Sequence, residues 1–147
     1  YLCDKHIPKM LLENCQMLST AVRRHLLYDD ELPYIYKSAY PNHPMTKWVG
    51  DTRDNFRWAM ENAVSISIEY TRRFRKLHKS SDVLNIIWFE NYIDLMPREK
   101  FTTPPQCMPD EYRDIDYVTA YRRYYNNDKK YFAKWEKGRS CPKWWVQ

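Results

Sequence analysis

The sequence predicts a mainly α fold, a single compact domain. One long N-terminal helix packs against two or three further helices, which long Pro-rich loops join. Three observations carry this prediction. Apolar residues recur at three- and four-residue steps over residues 4–27 and 52–78. No segment alternates apolar and polar residues convincingly enough for a half-buried strand. Only 2 of the 147 residues are glycine, which excludes a Gly-rich phosphate loop, a dinucleotide-binding fingerprint and a glycine-turn-rich sandwich. The length suits one domain over residues 1–147, with residues 127–147 as a basic aromatic C-terminal segment. A hydrophobic share of 44% is enough to build a core and excludes a disordered tail.

The first helix is predicted over 4–27, because Ile7, Leu11, Cys15, Leu18, Val22 and Leu26 form one apolar stripe. Asp4 is its candidate cap, and Pro8 is tolerated in the first turn. Residues 28–50 read as irregular, punctuated by Pro33, Pro41 and Pro44, with a turn at Asn42-His43-Pro44. A second helix is predicted over 52–78, capped by Asp51. Its inner face is Phe56, Ala59, Met60, Ala63, Ser67, Tyr70, Phe74 and Leu77, and Glu69 with Arg73 adds i,i+4 support. A third, shorter helix is expected over 82–95, where Ile86, Ile87, Trp88, Phe89 and Ile93 are too apolar to be free. Four prolines make 96–109 an extended crossing loop. A last helix over about 115–126 turns Val118, Tyr121 and Tyr125 inward.

Charge is uneven. Residues 119–147 carry eight basic and two acidic side chains, whereas residues 80–118 carry three and eight. A basic end points to an anionic partner or to an ordinary solvated face. The tail interleaves rings with cations, including Lys130, Lys134, Trp135 and Lys137. Rings stack on bases and cations neutralise phosphates, so the pattern suits nucleic acid. Equally, Phe132, Trp135 and Trp144 could pack back onto the helices and leave the lysines as solubilising charge. No apolar run is long enough to cross a membrane, so no membrane partner is expected. The four cysteines and four histidines have no metal-ligand spacing, so no metal and no cofactor is expected, and reduced thiols point to an intracellular protein. The chain opens on Tyr1, not Met, which implies preceding residues.

The first helix also carries a polar stripe of His6, Lys9, Glu13, Gln16, Thr20 and Arg23 or Arg24. It is either a solvated face or a site. Here the sequence resembles a known family. Leu2-Cys3-Asp4-Lys5-His6, Glu13 seven residues on, and Ala21-Val22-Arg23-Arg24-His25 resemble the first helix of the bacteriophage pyrimidine-dimer DNA glycosylases, the endonuclease V family. Met108 to Asp114 and Lys130 to Gly138 resemble shorter stretches of the same family, and the Asp-Lys-His-x-x-Lys-Met opening is similar to that of a group of small viral proteins.

The resemblance implies a helical DNA glycosylase and abasic lyase acting on double-stranded DNA. An amine attacks the sugar to give an imine, and a carboxylate at the position of Glu13 assists. It places His6 and Gln16 in the DNA-facing groove and Arg23 and Arg24 on phosphates. The family's amine is the chain terminus. In this chain that amine would be on upstream residues or replaced by Lys9. Gln16 and Leu12 stand where the family has arginine. A viral origin would put the protein in the host cytoplasm or nucleus, as a monomer unless it joins a larger assembly. Such an enzyme would hold Glu13 partly buried in a basic groove. A non-catalytic binding or assembly protein on the same scaffold would leave Glu13 solvated or paired with Lys9 and lay its tail against nucleic acid. An enzyme acting on free nucleotides is a third, weaker option.

Overall fold

The computed structural model describes residues 1–26 and 32–146. Expectations for 27–31 and for Gln147 lie outside the described residues. Every regular element among the described residues is helical, and together they form one domain. The elements are α1 (His6–His25), α2 (Pro44–Asp51), α3 (Arg53–Phe74), α4 (Ser80–Phe89) and α5 (Tyr117–Asp128), with short 3-10 turns at Tyr92–Leu95 and Asp110–Tyr112.

One hydrophobic cluster joins α1 to α4. Ile7, Leu11, Cys15, Leu18 and Val22 of α1 are all buried, as their spacing requires. They meet Val49 of α2, Phe56, Ala59, Met60 and Ala63 of α3, and Leu84 and Ile87 of α4. The sequence reading missed α2. Its proline and glycine look like breaks, yet both fit a helix here. Pro44 occupies the first turn, where no N–H is needed, and His43 Nδ1 accepts the amide N–H of Met45 at 3.2 Å. Gly50 lets α2 close on α1, since a Cβ there would sit 3.1 Å from Ala21 Cβ.

Other boundaries shift for local reasons. Thr52, not Asp51, caps α3, its Oγ1 accepting Asn55 N–H at 3.0 Å. The helix ends at Phe74 because Arg75 turns left-handed (φ 57°), which leaves Leu77 76% exposed rather than inward. The third predicted helix divides at Asn91 (φ 52°), and Trp88 and Phe89, expected to be covered, are 52% and 77% exposed. Asp116 caps α5 through the amides of Val118 and Thr119, and Val118 faces partly outward. Residues 96–109 hold no helix or strand, in keeping with the predicted loop. The fully buried Asn55 pins it: its amide donates to Trp48 O and Thr102 Oγ1, both at 2.9 Å, and its oxygen accepts Thr102 N–H at 2.9 Å. No described helix is long and apolar enough to cross a membrane.

Candidate nucleic-acid site

The site is built where the chain's two ends meet α3. Asp4 does not cap α1. Its carboxylate instead accepts the amide N–H groups of Glu136 (2.6 Å) and Lys137 (3.1 Å) in the tail. Its other oxygen takes Arg73 Nη1 at 3.0 Å. Arg73 also donates to Leu2 O at 2.8 Å and to Glu69 at 2.6 Å. Glu69 in turn receives Arg139 in a two-point contact at 2.7 and 2.6 Å. Arg73 is buried, its side chain 3% exposed, and Asp4 and Glu69 are mostly covered, while Arg139 at 36% borders solvent. The hydrogen bonds from Arg139 and Arg73 hold the Glu69 carboxyl at about 2, below its ordinary 4.5.

Rings complete the attachment. His6 sits edge-on to Tyr125 at 5.3 Å and to Phe132 at 5.1 Å. Burial, helped by Lys9, Lys129 and Lys5, pushes its pKa down to about 4. Tyr125 OH accepts Cys3 N–H at 3.0 Å, and burial pushes that phenol up. Trp135 donates its indole N–H to Tyr1 O at 3.1 Å and packs against Trp145 at 4.9 Å.

Between this tail and α3 lies a cavity of about 960 Å³. Its wall combines the rings of Tyr1, Trp135 and Trp144 with the cations Arg73, Arg122, Arg139 and Lys143, against one carboxylate, Glu69. Arg122 lies over the Trp144 ring at 5.7 Å. Among the described residues neither Arg122 nor Lys143 forms an ion pair within 4 Å, although Arg122 is a charged neighbour of Asp116.

The residues singled out in the sequence are not gathered in one place. Lys9 Nζ lies 3.6 Å from Glu13 Oε1, with side chains 62% and 42% exposed, and neither residue lines the cavity. The polar stripe of α1 is broken up. His6 is caged by rings, and Thr20 is buried, its hydroxyl accepting Ala39 N–H at 2.9 Å. Arg23 donates to the carbonyls of Tyr36 and Leu32, both at 2.7 Å, and so braces the segment after α1. Arg24 pairs with Asp51 at 2.8 Å across α1 and α2. Gln16 is half-buried, and its carbonyl takes the Thr20 hydroxyl at 2.7 Å. Of the four tail residues Lys130, Lys134, Trp135 and Lys137, the lysines are exposed and Trp135 alone lines the cavity.

Sequence reasoning did not single out Glu69, Arg73 or Arg122 as a site. The i,i+4 spacing of Glu69 and Arg73 was visible, but it reads as helix support. Only the fold brings Arg139 and Arg122 beside them. Among the described residues no group of three His, Cys, Asp or Glu side chains could hold a metal ion. No family model, curated protein or solved structure matches this chain.

Proposed function

We propose that the protein binds nucleic acid through the face formed by its tail and α3. One observation carries this: the cavity wall joins three aromatic rings to Arg122 and Lys143, two cations that form no ion pair within 4 Å among the described residues. Rings and unspent cations are the two elements that recognise bases and phosphates together. The pairing of Glu13 with Lys9, and its position off the cavity wall, favour the binding protein over the glycosylase, for which a carboxylate partly buried in a basic groove is expected. On this reading the partner is intracellular DNA, met by a monomer unless the chain joins an assembly. Titrating labelled DNA with the full chain at several salt concentrations tests it. Affinity should fall steeply with salt, with a log–log slope near −0.9 per phosphate contacted on duplex DNA. Salt-insensitive binding, or none, would refute it.

A second reading keeps the glycosidic chemistry. The observation in its favour is the Lys9 amine lying 3.6 Å from the Glu13 carboxylate, one helical turn apart. Lys9 would first pass a proton to Glu13. Its free amine would then bond to the sugar C1′ as the base leaves with the glycosidic electron pair, and Glu13 would give that proton to the ring oxygen as the sugar opens. Borohydride reduction on abasic DNA would then trap a covalent adduct. Lys9→Ala would abolish it, and Glu13→Gln would reduce it strongly. No adduct on abasic or pyrimidine-dimer DNA would eliminate this chemistry.

A further inference from the structure

We propose that the cavity takes a nucleotide of an unpaired nucleic-acid strand, rather than the flank of a duplex; this rests on the nucleic-acid reading above. The charge inventory is the first reason. Of the four cations in the wall, Arg73 is consumed by Asp4, Glu69 and Leu2 O, and Arg139 by Glu69. Two remain, Arg122 and Lys143. Two cations suit the one or two phosphates that flank a single nucleotide. A protein making about six to ten phosphate contacts along a duplex would need several more cations than these two.

Shape is the second reason. A hollow of about 960 Å³ is of the size that encloses small organic ligands, whereas the outer surface of a duplex is convex and keeps its base faces stacked inside. Rings in a concave wall gain nothing from bases they cannot reach. They stack on bases that are already unpaired, for which no unstacking energy is spent. In this wall Tyr1 is 83% exposed and approaches Trp144 edge to face, 6.4 Å between centroids.

Preorganisation is the third reason. Glu69 would repel a phosphate if it were free. Two guanidinium groups occupy it, one of them from the tail, so the network that closes the hollow also cancels its only negative charge. The exposed Lys130 and Lys137 continue the positive charge outside the cavity, where a strand would run on, while Lys134 pairs with Glu136 at 3.7 Å.

The test is fluorescence anisotropy on the full chain, with a labelled thymidine oligonucleotide of about twelve residues and a duplex of the same length. The strand should bind about tenfold tighter than the duplex and quench tryptophan emission by stacking. Arg122→Gln with Lys143→Gln, both exposed side chains, should weaken strand binding about tenfold and flatten its log–log salt slope by about 1.4. Lys100→Gln, a cation that does not line the cavity, should change neither. Equal or tighter duplex binding would overturn the inference and leave the nucleic-acid reading standing. Strand binding indifferent to the double substitution would remove the cavity as its site. Absence of binding to either ligand would overturn both.

Discussion

Arg73 is the residue on which the site's frame turns. It reaches Asp4, Glu69 and the Leu2 carbonyl from a buried position. Arg73→Ala would leave two carboxylates short of a partner, and breaking a buried pair in this way costs about 3–5 kcal/mol. Urea unfolding should show that loss, and limited trypsin digestion should cut the tail at Lys134 and Lys137 sooner. His6 is the other decisive residue. Its folded pKa of about 4 lies below the ordinary 6.5, so between those values the unfolded chain holds more of the proton. Stability from this group is complete above pH 6.5 and is lost as pH falls toward 4. With allowance for its partial exposure the difference is about 1–2 kcal/mol. His6→Phe, which keeps the ring between Tyr125 and Phe132, should flatten the stability curve over that window. Glu69 acts lower down, losing its contribution as pH falls from 4.5 toward 2. Only the Glu69–Arg73 pair, four residues apart, is legible in the sequence; His6 meets Tyr125 and Phe132, and Arg73 meets Asp4, across about 70 to 130 positions.

At the scale of elements, α1 and α3 were legible because long helices repeat their apolar residues often enough to define a face. The core positions Leu11, Leu18, Phe56 and Ala63 follow from that repeat alone. The eight-residue α2 was not legible. It is too short for periodicity to speak, and its Pro44 and Gly50 serve a cap and a close helix approach rather than a break. The polar stripe of α1 failed as a site for a related reason. Spacing fixes which side chains share a face but not what packs on it, and that face meets the tail at His6 and the segment after α1 at Arg23. Asn55 holds three elements together: α2, α3 and the loop that follows Met96. Asn55→Ala would strand the Thr102 amide, its hydroxyl and the Trp48 carbonyl. A cost of about 3 kcal/mol follows, read by thermal unfolding, together with faster proteolysis between residues 98 and 103.

On the scale of the whole molecule, the protein is a four-helix core onto which α5 and an aromatic tail are fastened by rings and ion pairs rather than by the central cluster. The fold class and the basic character of the tail could be read directly from composition and periodicity. The cavity could not, since it forms only when the tail crosses residues 1–7 and α3. Two arrangements of function remain physically distinct on this frame: ligand binding at the tail cavity and imine chemistry on the open face of α1. The measurement that separates them most directly is photo-crosslinking of bromodeoxyuridine-containing DNA to the full chain, followed by mapping of the modified peptide. Binding at the tail face predicts adducts between Trp135 and Trp144. Adducts confined to the stretch from Lys9 to Gln16 would contradict it.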